Sequence, residues 1–223
     1  MRKMRKMLDF CTNLVYNNLH QKPSKVKNCE MTKNNSEDIR IKKTKNKLFQ
    51  TFVKLLEEIS IESITVNDLC AYAGIRRATF YKHFKDKLDF CAFCIKQLRD
   101  IFDNYVWMEA FPPITSDYYI AYAKRTVDFL DEHDKVVSRL LESSMLASLI
   151  QLITEQNYVA TLERLTESQK SGMKLIASPK ILAMMLAGGV SAAIVRWLKN
   201  KHVIKKEVFI RELSDIIKHI LEP

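Results

Sequence analysis

The chain has 223 residues, 47% of them hydrophobic and 28% charged, with a formal net charge of +10. That is long enough for one medium domain, or a small one fused to a larger one, with a sizeable core. Glycine and proline together number only nine, which argues for long helices with few turns. The four glycines (Gly74, Gly172, Gly188 and Gly189) cannot be assembled into either standard phosphate-cradling loop pattern.

The charge is unevenly placed. Residues 1–100 carry 21 Lys/Arg against 11 Asp/Glu, and residues 101–223 carry 15 against 15. A basic half joined to a neutral half suggests a module for nucleic acid or an anionic membrane surface, joined to a module for something else. The plainer alternative is a solvated basic face.

In chain order, residues 1–38 stand apart. "NNLHQKPSKVKNCEMTKNNSED" is polar, Asn/Lys-rich and without period, so 1–38 reads as a disordered N-terminal extension. A start at Met31 would make residues 1–30 an upstream addition. The opening "MRKMRKMLDFCTN" has its apolar part broken by Asp9, Thr12 and Asn13, with no small-residue cleavage site after it, which argues against a signal peptide. From Ile41 the period is helical through Leu48, Phe52, Leu55, Leu56 and Ile59. Lys42, Lys43, Lys45 and Lys47 crowd its early turns, and Glu57 and Glu58 sit at its end, the reverse of what the helix dipole prefers.

Thr65-Val-Asn-Asp68 is a capping-box variant opening a second helix with Val66, Leu69, Cys70 and Ala73 on its apolar face. Gly74 closes it in the left-handed conformation that permits a sharp turn. A third helix is expected over 77–84, and Asp86 then caps a fourth, long one, with Asp89 at the capping-box position. On a wheel of 76–84, Phe80 and Phe84 define the buried side and Lys82 points away, with Ala78 and Thr79 beside it and Tyr81 and His83 on the flanks. Arg76 and Arg77 form the tip. A small residue, a hydroxyl and cations on one short helix suit entry into a DNA major groove, and with the preceding helix they make a helix-turn-helix over 65–84.

The remainder alternates helical patterns with breaks at 107–113 and near Gly172, and Ser178-Pro179 caps a helix running to Asn200. The last helix carries Phe209, Leu213, Ile216, Ile217 and Ile220 on one stripe. About nine helices and no strands are expected, an all-α fold. The longest apolar run, 181–195, lies between Lys180 and Arg196 and is too short for a good transmembrane helix, so no membrane partner and a cytoplasmic location are expected.

The five cysteines (11, 29, 70, 91 and 94) read as reduced intracellular thiols. Cys91 and Cys94 have C-x-x-C spacing but fall inside a helix; they read as core residues, with a thiol sensor or a thiol oxidoreductase as alternatives. The histidines at 20, 83, 133, 202 and 219 lack metal spacing, no catalytic set is visible, and neither metal nor cofactor is expected. Trp107, Met108, Phe111, Tyr118, Tyr119 and Tyr122 cluster around the first break, where they line either a ligand cavity or an ordinary core. Gly188-Gly189 inside an apolar helix implies a close helix–helix approach or space for a ligand.

The stretch "ITVNDLCAYAGIRRATFYKHFKDKLDF" resembles the signature of the TetR/AcrR family of bacterial transcription regulators, notably at Thr79–Phe84 and Lys87. "LAGGVSAAIVRWLKN" more loosely resembles the Firmicutes-type regulatory domain of that family. The resemblance implies a three-helix DNA-binding domain over 39–87 and a helical regulatory and dimerisation domain over 88–223. It implies a non-enzymatic, sequence-specific regulator: a homodimeric repressor, nucleoid-associated, released from a palindromic operator on double-stranded DNA by a small-molecule effector. A regulator controlled by a partner protein, or an activator, is the alternative. By position, Thr65 would meet a phosphate, Arg77, Ala78, Thr79 and Lys82 base edges, Tyr81 and His83 backbone or a thymine methyl, and Lys87 a phosphate, with Lys43 and Lys45 adding phosphate contacts. Arg76 departs from the family, which often has a capping residue there; its guanidinium would bind phosphate or read guanine. Gly188, Gly189, Ile194, Trp197, Leu213 and Ile217 would lie at the dimer interface.

Overall fold

The computed structural model describes residues 34–108, 116–201 and 203–222. Among them are nine helices and no strand. They fall into two compact units, the first ending at Phe90 and the second beginning at Cys91.

The first unit is built on α1 (Asn34–Glu58), α2 (Val66–Ala73), α3 (Arg77–Tyr81) and the first turn of α4 (Lys87–Met108). Helical backbone begins at Asn34, upstream of the expected start at Ile41 and inside the stretch expected to be irregular. Helix formation is cooperative, and turns anchored by the fully buried Leu48 and Phe49 allow extension toward the N-terminus. Residues 1–33, and with them most of the expected extension, lie outside the described residues. Ile59 was expected on the apolar stripe of this helix, but α1 ends at Glu58 and Ile59 is exposed.

Phe52, Phe80, Phe84 and Phe90 make the centre of this unit, with ring centroids 5.0–5.7 Å apart in edge-on or tilted pairs. Such aromatic pairs contribute about 0.5–1.5 kcal/mol each beyond their area burial. The cluster also explains why α3 is shorter than expected. After Tyr81 the chain tightens, His83 N–H and Phe84 N–H both bonding Phe80 O, which turns Phe84 inward beside Phe80 and Phe90. Asp86 Oδ1 then accepts from Asp89 N–H at 2.8 Å and Asp89 Oδ2 from Lys85 N–H at 2.9 Å, a reciprocal cap that starts α4.

The second unit contains the rest of α4, then α5 (Ser116–Glu132), α6 (Asp134–Leu141), α7 (Leu146–Lys170), α8 (Pro179–Lys199) and α9 (Lys206–Leu221). Helix α8 starts with Ser178 Oγ accepting from Ile181 N–H and Pro179 in the first turn, and it contains a π-helical turn at Leu186–Val190. Helix α9 packs on α5, and α7 on α8. Between them lies one core built from Val127, Leu165, Leu182, Ala183, Ile194, Trp197, Leu213, Ile217 and Leu221. Trp197 stacks on Phe209 with centroids 5.2 Å apart and donates its indole N–H to Ile204 O at 3.0 Å, which closes the α8–α9 turn.

Helix α8 corrects the expectation drawn from its apolar run. The helix takes in Pro179 and Lys180 at one end and Arg196 to Lys199 at the other, so it has 21 residues, enough by length and composition to cross a bilayer. Its Leu182, Ala183, Leu186, Ile194 and Trp197 are instead buried in the core of this unit.

Candidate nucleic-acid interface

The helix-turn-helix is assembled by local chemistry legible in the residues. Thr65 Oγ1 accepts from Asp68 N–H at 3.1 Å, and Asp68 Oδ2 accepts from Thr65 N–H at 3.2 Å. Gly74 then adopts φ 58° and ψ 39°, and its N–H and that of Ile75 return to carbonyls of α2. A β-carbon there would be strained by the positive φ. The turn delivers Arg76 in extended backbone with no side-chain cap, as an arginine must be.

Phe80 is fully buried and fixes the rotation of α3. Arg76, Arg77, Ala78, Tyr81 and Lys82 are exposed, and Thr79 and His83 are half-buried. The outward side of α3 is thus cationic around one small residue, which suits a groove lined by phosphates and base edges. The Arg77 guanidinium lies over the Tyr81 ring at 5.5 Å, which limits its sweep. Lys43 is exposed on α1; Lys45, half-buried, sets its ammonium 5.5 Å from the centroid of Phe84. Burial, then the charges of Lys45 and Lys82, hold the His83 imidazole below its ordinary value.

Two of the expected phosphate contacts look different in place. The Thr65 hydroxyl donates to Asp68 Oδ2 at 2.6 Å, so its proton is already used, and a carboxylate stands at the helix N-terminus where an anion would arrive. Lys87 donates to the main-chain carbonyl of Ile61, and at 3.3 Å to that of Glu62. Its ammonium is held by the α1–α2 connection, a role the spacing of charges along the chain does not reveal.

In the second unit, Tyr118 is buried and donates to Asp103 Oδ1 at 2.6 Å, while Arg164 reaches Asp103 Oδ2 at 2.9 Å and lies over the Tyr118 ring at 4.6 Å. Burial, with the Asp103 charge adding, pushes the Tyr118 and Tyr122 hydroxyls far up; burial pushes Tyr119 up to about 12. Arg99 donates to Gln156 O at 2.8 Å. Among the described residues, Tyr119 Oη, Arg99 Nε and Gln156 Oε1 are buried without a hydrogen-bond partner. Asp103, Arg164, Arg99 and Gln156 were missed from sequence, because two helices distant along the chain, α4 and α7, bring them together. Trp107 and Met108 end α4; their side chains, and Phe111 altogether, lie outside the described residues.

The expected dimer residues divide. Ile194, Trp197, Leu213 and Ile217 are 7%, 5%, 8% and 2% exposed and belong to the core of their own unit, which corrects their assignment to an interface. At Gly188 and Gly189 an added β-carbon would meet nothing within 4 Å among the described residues, which do not make the close approach expected there. The large apolar side chains that α8 and α9 do expose are Ile181, Met184, Met185 and Ile216. Cys91 and Cys94 are buried, and burial pushes the Cys94 thiol well up, with Cys91 adding to the shift. A nucleophilic cysteine needs the opposite setting. Among the described residues, no group of His, Cys, Asp and Glu could hold a metal ion.

Residues 50–91 match the family model "Bacterial regulatory proteins, tetR family". An HTH-type transcriptional regulator of Staphylococcus aureus (strain USA300) is 33% identical over 81 residues, which are 36% of this chain and 41% of that protein. The chain therefore aligns with less than half the length of this curated relative. A TetR-family transcriptional regulator from Syntrophomonas wolfei superposes with a TM-score of 0.59 at 14% identity, covering 82% of this chain and 96% of the other. RolR, solved in complex with resorcinol, superposes with a TM-score of 0.58 at 13% identity, covering 83% and 90%. At such identities these two show the fold.

Proposed function

We propose that the chain is a member of the tetR family of bacterial regulatory proteins, whose model matches residues 50–91, and that it regulates transcription as a homodimer that reads a palindromic operator. The observation that carries this reading is the outward side of α3, where Arg76, Arg77, Ala78, Thr79 and Lys82 surround a helix fixed by the buried Phe80. Arg77, Ala78, Thr79 and Lys82 face base edges, and the lysines of α1 face the phosphate backbone. One such helix reads only a few base pairs, too few for specificity across a genome, so two copies are required. The exposed Ile181, Met184, Met185 and Ile216, beside the open Gly188-Gly189 surface, supply an apolar face for the second copy.

The protein acts as a repressor in the cytoplasm, at the nucleoid, and a small molecule releases it. The second unit supports effector binding through Tyr119 Oη, Arg99 Nε and Gln156 Oε1, buried polar atoms without hydrogen-bond partners among the described residues, a costly arrangement that a polar ligand would relieve. Selection of duplexes from random DNA tests the reading. The expected result is an enriched motif of two half-sites related by two-fold symmetry, with centres about 34–36 Å apart or a multiple of that. A pool with no enriched motif would sink it.

A further inference from the structure

The last residues of the recognition segment and the middle of α1 converge on one ring. Phe84 carries the Lys45 ammonium over its face at 5.5 Å, and the His83 ring lies beside it at 6.3 Å in an edge-on arrangement. Lys45 from α1 and Lys82 from the recognition segment are the charged groups acting on the imidazole. The nearby carboxylates face elsewhere: Asp86 accepts from Asp89 N–H and Asp89 from Lys85 N–H, both spent on starting α4. Among the described residues, the charges acting on His83 are thus both cations.

Taking the chain as a DNA-binding regulator in which His83 and Lys45 meet the phosphate backbone, we propose that binding DNA takes up a proton at His83, in the positive field of Lys82. In the free protein, burial and then the charges of Lys45 and Lys82 lower the imidazole from its ordinary value of 6.5. A phosphate arriving between Lys45 and His83 reverses the local sign. It screens the ammonium groups, accepts a hydrogen bond from the imidazolium, and favours the charged ring. The proton comes from solvent and stays on the ring until the DNA leaves. Affinity is therefore highest at acid pH and falls as pH rises between the free and bound values of His83.

The probe is the duplex enriched from random DNA, with its dissociation constant measured at fixed ionic strength from about pH 5.5 to 8. Wild-type affinity is expected to fall by up to about tenfold per pH unit inside the window, the limit for one linked proton. His83→Gln should lose that dependence, which separates His83 from the other histidines. A slope unchanged in His83→Gln would overturn the proposal while leaving DNA binding intact. Absence of any enriched duplex would instead remove the regulator reading and this inference with it. A second measurement does not depend on the variant folding. The His83 Cε1–H resonance in wild-type protein should titrate at higher pH in the duplex complex than in the free protein, and equal midpoints would refute the coupling.

Discussion

Lys87 donates its ammonium protons to the main-chain carbonyls of Ile61 and Glu62, so the first residue of α4 is tied to the connection between α1 and α2. A charge that in sequence looks available for DNA is hydrogen-bonded to the connection before the helix-turn-helix, within the first unit. Hydrogen bonds with a charged partner contribute about 1.5–3 kcal/mol where both groups are well placed. Lys87→Met is expected to lower the stability of the protein by roughly 1–2 kcal/mol. It should leave the salt dependence of DNA binding nearly unchanged, whereas loss of a true phosphate contact lowers the slope by about 0.9. Chemical denaturation and salt titrations on the same variant check both halves; a slope reduced by a full unit with unchanged stability would restore Lys87 to the DNA.

The α8 surface gives a sharper test of the dimer than its buried residues could. Gly189→Leu introduces a side chain whose β-carbon meets nothing within 4 Å among the described residues. Leucine also favours helix over glycine by about 0.5–1 kcal/mol. The folded subunit is therefore expected to retain its helical content, while the added bulk keeps a second α8 away. Sedimentation should show monomers, and operator affinity should fall by more than tenfold. Dimers of unchanged stability would place the interface elsewhere.

Acid and alkali should loosen the second unit from opposite ends. Lys201 contacts Asp131 at 3.1 Å and Asp134 at 2.7 Å, and Lys206 contacts Asp128 at 3.1 Å and Asp131 at 3.3 Å. Burial pushes Asp131 up, but hydrogen bonds from Lys201 and Lys206 outweigh it and hold the carboxyl below 3.8. Its contribution is therefore present above that value and lost as pH falls through the lower, folded one. Burial lowers Lys201, yet its hydrogen bonds to Asp134 and Asp131 win, and Lys206 is raised first by its bond to Asp128. The lysine contributions are full below 10.5 and lost as pH rises through the folded values. Asp131→Asn should flatten the loss of melting temperature below about pH 4 while leaving a loss at high pH through Asp128 and Asp134. Identical acid limbs for the two proteins would show that this network adds nothing.

Much of the DNA-binding unit was legible in sequence because its signals are local. Thr65 and Asp68 cap across three residues, Gly74 needs its left-handed backbone, and Phe80 and Phe84 mark one face by spacing alone. The second unit resisted where the decisive distances run between helices. On α8, apolar residues occur nearly all round, so periodicity does not say which side meets its own core. Ile194 and Trp197 turned inward and Met184 and Met185 outward. The Asp103–Arg164 pair joins α4 to α7, and the Lys45–Phe84 contact joins α1 to the end of the recognition segment. Neither pairing leaves a trace in the residues adjacent to it.

The π-helical turn at Leu186–Val190 makes the length of α8 as consequential as its composition. A π turn accommodates one residue more than the α-helical ladder would, so the halves on either side keep their separate alignments. Closing that stretch into ordinary α-helix with every residue retained would put the surplus residue into the ladder. Everything beyond it would then rotate by about 100° and shift by about 1.5 Å relative to the first half. Trp197 would swing away from Phe209, and Ile194 out of the core, while Leu182 and Ala183 stayed in place. The tandem glycine thus acts as a phase adjuster: one surplus residue lets a single rod present its two ends to the same interior from different angles.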